Sequence, residues 1–273
     1  MSEAVAVLHG AFGRVCLYSM DRTMVSHAHR EGHLLFHIHG SPGEVVVDGC
    51  PVPLGPGAAV AVNPWQAHYY CQPVPGSHTL LLVLYIRPTW FSRAFGGRMF
   101  GLRFGSASIA VSNALARLID VSAVLDREQD DPAINDWLLS VTAHCFEQSW
   151  CGRDADRRFA GVHDFRLRKA VQLLEERVCE PVDLDRVARE AGLSRPHFYK
   201  LFRQQVGVTP NIYLNSLRME RAIERLTATT EAVASIGLDL GFSSQASFTR
   251  FFIANGVVPP STYRRSARLA CPQ

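Results

Sequence analysis

The sequence predicts an α+β chain of two units: a β-rich N-terminal unit with a helical segment, followed by an all-helical C-terminal unit. Three observations predict it. Residues 1 to about 95 are rich in Gly, Pro, Val and His and alternate in short runs between turn signals. Apolar residues switch to helical spacing after residue 106. From His163 onward the chain reads as helix throughout and repeats itself at about fifty residues. The 273 residues suffice for two compact units, and 47% hydrophobic with 19% charged residues excludes a largely disordered chain.

In the first unit, His33-Leu34-Leu35-Phe36-His37-Ile38-His39 and Glu44-Val45-Val46-Val47 read as strands. Gly40-Ser41-Pro42-Gly43, Asp48-Gly49 and Pro53-Leu54-Gly55-Pro56-Gly57 punctuate them as turns. The most apolar stretch, Thr79 to Ile86, falls far short of the ~20 residues a membrane helix needs. Met1 to Gly10 lacks the basic start and apolar run of a signal peptide. No membrane partner and a cytoplasmic location are therefore expected. Ile109, Leu115, Leu118, Ile119 and Leu125 suggest one helix; Trp137, Leu138, Val141 and Cys145 suggest a second. Asp130-Asp131-Pro132 marks the break between them, with Pro at a helix start. Gly152 to Gly161, charged and short of large apolar residues, reads as a linker. The expected boundaries are 1–105, 106–151, 152–162 and 163–268.

Seven scattered cysteines, odd in number and without a CxxC pair, point to free thiols in a reducing compartment. The net charge of +3 divides unevenly. Residues 1–162 carry 12 basic and 14 acidic side chains; residues 163–273 carry 16 and 11. The basic excess lies where a phosphate-binding surface would be.

The first copy of the repeat reads Val187-Ala188-Arg189-Glu190-Ala191-Gly192-Leu193-Ser194, then Arg195 to Phe202. The second reads Ile236-Gly237-Leu238-Asp239-Leu240-Gly241-Phe242-Ser243-Ser244, then Gln245 to Phe252. Gly192 and Gly241 suit the left-handed turn that ends a helix, and a following serine suits the next N-cap. That is the grammar of a helix-turn-helix. Phe198, Leu201 and Phe202, like Phe248, Phe251 and Phe252, stand at i, i+3, i+4 and should pack inward. The outward candidates for DNA contact are Arg195, Pro196, Tyr199, Lys200 and Arg203 in the first copy. In the second they are Ser244, Gln245, Ala246, Thr249 and Arg250. Cationic and amide side chains read base edges and phosphates: Arg250 suits guanine, Gln245 adenine. Between the copies, Thr209-Pro210 starts a helix of about eighteen residues, ~27 Å long. It would hold two recognition helices near one DNA turn apart, roughly 34 Å.

The tail from Leu240 to Phe252 with Val258 to Arg264, and Ser194 to Phe202 with Gly207 to Pro210, closely resembles the AraC/XylS family signature. The resemblance covers about His163 to Arg268 and implies a double helix-turn-helix with base-reading roles at Lys200 and Arg250. Two positions depart from it. Ile253 stands where the family often has Lys or Arg, and Gly237 replaces a usual alanine at a cost of roughly 1 kcal/mol in helix propensity.

Upstream, His27-Ala28-His29, His33, and Asn63-Pro64-Trp65-Gln66-Ala67-His68 resemble the cupin barrel pattern. The resemblance implies a cupin-like β-barrel in which His27, His29, His33 and His68 share one site. Metal-binding cupins place an acid where His33 stands, so ordinary pocket histidines, without metal or cofactor, are expected. With Phe36, Trp65 and Tyr69, the barrel mouth is expected to take a small organic effector, contacted by His27, His29, His33, Phe36, Trp65 and His68. The family resemblance further implies a transcription regulator, more often an activator, rather than an enzyme. Its partners would be a double-stranded DNA operator, a small-molecule effector and a second copy of the chain through the helices near Ser108 to Trp150, with RNA polymerase as a further contact. No nucleophile elbow, phosphate loop or carboxylate pair supports an enzyme.

Overall fold

The computed structural model of the chain describes residues 2–72, 74, 76–94, 103–119, 121, 132–149, 162–256 and 258–269. Nine strands are described: β1 (Glu3–Gly10), β2 (Gly13–Met20), β3 (Gly32–Gly40), β4 (Gly43–Val47), β5 (Cys50–Leu54), β6 (Ala58–Val62), β7 (His68–Cys71), β8 (Thr79–Ile86) and β9 (Ser108–Ala110). They hydrogen-bond as two sheets rather than one continuous ladder, in the orders β1-β2-β8-β3-β6-β9 and β5-β4-β7. The Asp48-Gly49 signal makes the β4–β5 hairpin. Both residues have positive φ (50° and 84°), as a two-residue primed turn demands, and Val47 pairs with Cys50 across it.

The six-stranded sheet is buried on both faces, which explains the unbroken apolar run of β8. Leu81, Val83 and Tyr85 face the three-stranded sheet, where Val45, Val47, Val52, Leu54 and Tyr70 meet them. Leu82, Leu84 and Ile86 face the other way, onto helices. These are α1 (Pro88–Ala94), α2 (Asn113–Leu118) and α3 (Pro132–Ser149). Leu115, Ile134, Leu138, Val141, Cys145 and Phe146 join that second core. The expected first helix is thus shorter than its apolar spacing suggested. Ile109 belongs to β9, where the buried isoleucine between exposed Ser108 and Ala110 fits strand alternation and pairs with Ala59 of β6. Residues on both sides of the expected boundary at 105/106 therefore share one sheet. Leu125, the Asp130-Asp131 break and the linker from 152 to 161 lie outside the described residues.

The C-terminal unit comprises α4 (Phe165–Glu176), α5 (Leu184–Glu190), α6 (Arg195–Val206), α7 (Pro210–Ala228), α8 (Val233–Asp239), α9 (Gln245–Gly256) and α10 (Pro260–Leu269). Asp164, Asp183 and Thr209 cap α4, α5 and α7 through side-chain oxygens, and Pro210 stands in the first turn of α7. The first helical pair, α5 and α6, closes over Leu167, Ala170, Leu174, Val187, Phe198 and Phe202. The second, α8 and α9, closes over Ile236, Leu240, Phe248, Phe252, Val258 and Tyr263. The helix α7 belongs to both cores: Tyr213, Leu214 and Leu217 pack into the first, and Met219, Ala222, Ile223 and Leu226 into the second. At 19 residues it is about 28 Å long.

Candidate nucleic-acid interface and sensing site

Each helix pair turns on a glycine in the left-handed region, Gly192 at φ 74° and Gly241 at φ 81°. At Gly241 a Cβ would stand 2.9 Å from the Glu180 backbone carbon, so alanine is excluded there on space as well. The capping that follows differs between the copies. Ser244 and Ser247 exchange hydrogen bonds at the start of α9: the Ser247 amide donates to the Ser244 Oγ at 3.2 Å and the Ser244 amide to the Ser247 Oγ at 3.1 Å. Ser194 sits at the N-cap of α6, but its side chain makes no capping bond.

The inward faces pack as their spacing predicts. Phe198, Leu201, Phe202, Phe248 and Phe252 are buried, and Phe251 is half-buried beside Phe242. Of the candidate contacts, Arg195, Pro196, Lys200, Arg203, Ser244, Gln245, Ala246 and Arg250 are exposed; Tyr199 and Thr249 are half-buried. Arg195 donates to the Asp185 carboxylate at 2.9 Å and lies over the Tyr199 ring. That exposed pair is worth ~0–1 kcal/mol, little enough to give way to a phosphate. Lys200, Arg203 and Arg250 have no ion-pair partner among the described residues. Three cations on α6 and α9 without an ion-pair partner among the described residues are a surface suited to a polyanion. Ile253 is half-buried, in keeping with its departure from the basic residue the resemblance led one to expect.

Gly237 has a packing role that the sequence did not announce. A Cβ there would lie 2.7 Å from the Phe248 Cβ. The missing side chain lets α8 and α9 touch, which offsets the lost helix propensity.

The histidines converge inside the β unit. His27, His29, His33 and His68 are all buried. Ring centroids lie 4.5 Å apart for His27 and His68, 4.4 Å for His29 and His33, and 4.7 Å for His33 and His68. His27 and His68 form an isolated β-bridge that fastens the chain before β3 to β7. Burial pushes all four rings below the ordinary histidine range, His27 to about 4 and His68 to about 3, so the cluster is neutral at pH 7. The cavity they help line, with Tyr18, Leu35, Val45, Tyr70 and Tyr85, is about 30 Å³. That is room for a water or an ion; organic ligands occupy roughly 300–1,000 Å³. Phe36 does not join the cluster. It lies one step out of register with His33 and Leu35, and packs in the second core. His37 is half-buried and binds the Gly40 carbonyl, and His39 is exposed.

A larger cleft of about 760 Å³ opens between the two units, lined by Arg14, Arg30, Glu31, Trp65 and Arg87 on one side and Glu175, Tyr213, Glu220, Ile223 and Thr227 on the other. Trp65, held at φ 60°, stacks on Tyr213 at 4.6 Å. Arg30 donates to Glu175 at 2.8 Å and pairs with Glu220 at 3.3 Å. Burial raises the Glu220 carboxyl to about 7 despite that pairing. Ser216 of α7 donates to the Ala28 carbonyl at 2.6 Å, and Ser266 of α10 to the Ala4 carbonyl of the edge strand β1 at 2.6 Å. The sequence placed Trp65 at a barrel mouth beside the histidines; it lines this cleft instead, and none of its partners, which are separated from it by more than a hundred residues, carries a local pattern.

Two helix-turn-helix pairs on one shared helix, joined to a β unit, define a DNA-binding protein of the double helix-turn-helix class. A helix-turn-helix domain model matches residues 187–266. The TetD protein of transposon Tn10 in Escherichia coli is 34% identical over 111 residues, 41% of this chain and 78% of that protein. The transcriptional regulator MtrA of Neisseria gonorrhoeae is 25% identical over 154 residues, 53% of this chain. The chain spans about half the length of MtrA, 51%. Crystal structures of Vibrio cholerae ToxT share the fold: the apo form covers 95% of this chain and 99% of its own at a TM-score of 0.56 and 14% identity. A form bound to an unsaturated fatty acid covers 95% and 97% at 0.53 and 14%. The chain belongs to the AraC/XylS-type family of helix-turn-helix transcription regulators. Among the described residues, no helix is long and apolar enough to cross a membrane.

Proposed function

We propose that the chain reads a specific double-stranded operator with α6 and α9 and is controlled by a small organic effector held in the cleft between its two units. The observation that carries the DNA reading is the duplicated turn on α7, each copy presenting exposed, unpaired cations: Lys200 and Arg203 from one, Arg250 from the other. The cleft supports the effector reading by its size and its mixed wall. Trp65 and Ile223 supply apolar surface, and the Arg87 guanidinium, bonded only weakly to the Gly10 carbonyl at 3.4 Å, is left to an anion. An apolar organic acid suits that lining, and ToxT, which shares the fold, is a protein with a form bound to an unsaturated fatty acid. An effector there touches both units at once, so it would bias how they dock and thereby the affinity for DNA.

The test is selection of bound duplexes from a random-sequence library by the full chain, followed by titration of the enriched duplex. Enrichment of one sequence family, with binding lost on Arg250→Ala and altered by a medium-chain carboxylic acid, is the expected result. Failure to enrich any sequence refutes the DNA reading. Enrichment that no acid in a chain-length series alters refutes the effector reading alone.

A further inference from the structure

The two helix-turn-helix pairs touch each other away from the axis of the shared helix. The turn that follows α4, residues 177–180, runs beside the turn between α8 and α9. A Cβ on Gly241 would stand 2.9 Å from the Glu180 backbone carbon, 3.0 Å from the Glu180 carbonyl oxygen and 3.3 Å from that of Cys179. One side chain of α7 reaches into this seam. The Arg218 Nε donates to the Val178 carbonyl at 3.2 Å, and a terminal nitrogen of the same guanidinium donates to the Glu180 carbonyl at 2.7 Å. Its central carbon lies 5.7 Å from the centre of the Phe242 ring, within reach of a cation–π contact. Phe242 in turn packs on Phe248 and Phe251 of α9, with ring centres 5.4 and 4.8 Å away.

Two carbonyls on one side and a ring on the other call for a planar cation with donors spread along its edge, which arginine supplies and lysine does not. Arg218 is half-buried and has no carboxylate partner among the described residues, so the two turns alone hold its charge. It stands where α7 passes from one core to the next: Leu217 belongs to the first and Met219 to the second. Each core can still rock on the helix it packs against, and rocking would slide one turn past the other at this seam. We propose that Arg218 is a positioning residue: by clasping the turn after α4 to Phe242, it holds α6 and α9 at one angle to each other and sets the operator spacing that the chain accepts. That role rests on the proposed reading of one duplex by both pairs. A chain without the clasp reads the same bases but tolerates altered spacing. One base pair inserted between the contacted segments moves one of them by about 3.4 Å and turns it by roughly 34°.

The experiment compares the full wild-type chain with Arg218→Met, which keeps the aliphatic bulk and removes the cation and its donors. The first readout needs no DNA. Spin labels attached through unnatural residues at exposed Gln204 of α6 and Gln245 of α9 report the distance between the two helices. Wild type is expected to give one narrow distribution and the variant a broader one; equal widths overturn the proposal. The second readout is titration of the enriched operator and of versions with one base pair inserted or removed between the contacted segments. Wild type is expected to bind the altered operators at least about tenfold more weakly, because the gain from engaging both segments is lost when geometry forbids it. In Arg218→Met that ratio is expected to fall below about threefold. A ratio unchanged in the variant overturns the proposal. So does an equal loss on every operator, which is the mark of a head that has merely weakened. Should Arg218→Met not fold, Arg218→Lys, which keeps the charge and loses the two-pronged span, is read against the same outcomes. A library that yields no operator refutes the DNA reading, while the distance distributions still decide whether Arg218 holds the helices.

Discussion

Replacing Gly237 by alanine sets two effects against each other. Alanine is the better helix former by roughly 1 kcal/mol, so on propensity alone the variant gains stability. The new methyl, however, would stand 2.7 Å from the Phe248 Cβ, 2.9 Å from its Cγ and 3.0 Å from the nearest Cδ. The first two atoms sit at the root of the side chain and do not swing clear by rotating the ring, so α9 itself must shift. Phe248 is fully buried between Phe242 and Phe252, which opposes the movement. Overpacking of this kind costs typically 1–3 kcal/mol, and subtracting the propensity gain of about 1 kcal/mol leaves a net loss of about 0–2 kcal/mol. Urea unfolding of the full chain followed by circular dichroism measures it, and operator titration reads any displacement of Arg250. A Gly237→Ala chain more stable than wild type by the full propensity gain of about 1 kcal/mol would refute the argument that glycine is there for helix contact.

Arg250→Ala is expected to weaken specific operator binding by ~1–3 kcal/mol in an anisotropy titration, with the melting temperature unchanged because the side chain is exposed and unpaired. Lys200→Gln is expected to lower the salt slope of binding by about one; an unchanged slope removes Lys200 from the phosphate contacts. Arg30→Ala removes the exposed link to Glu175 and the link to the mostly buried Glu220. The Glu175 pair contributes ~1 kcal/mol or less, and hydrogen exchange across the interface should quicken. Acidification in the presence of a chelator should destabilise the chain from pH 6.5 down to about pH 4. His9, His27, His29, His33 and His68 are held below their unfolded range, so the unfolded chain binds more protons in that window and stability falls with pH. His27 alone contributes roughly 3 kcal/mol. Glu220, raised to about 7, works in the opposite direction below neutrality, one group against five. A melting temperature flat from pH 7 to 4.5 would contradict the burial of these rings.

The parts legible in the sequence were those whose cause is local. The turns at Gly192 and Gly241, the Asp48-Gly49 hairpin, the Thr209-Pro210 helix start and the inward phenylalanines each follow from a few neighbouring residues and one steric or hydrogen-bonding rule. β9 was hidden because three residues are too few to display a period of two beside a helical pattern. Phe36 was misplaced by proximity in sequence: strict alternation from His33 already puts it on the opposite face. The docking of the two units was beyond reach. Arg30 meets Glu175 across 145 positions and Ser266 meets Ala4 across 262, and a single exposed arginine or a buried serine looks the same in sequence whether or not it has such a partner.

Because the middle helix contributes its first half to one core and its second half to the next, the two heads that the proposed DNA reading sets on a duplex cannot slide along it independently. Their separation is set by covalent geometry, as the gap between two prongs is set by the fork. An operator lengthened by about five base pairs between the two contacted segments turns one of them to the far side of the duplex, since a full turn takes 10–10.5 base pairs. The chain can then engage only one segment at a time, whereas an operator altered in sequence outside those segments is met as before.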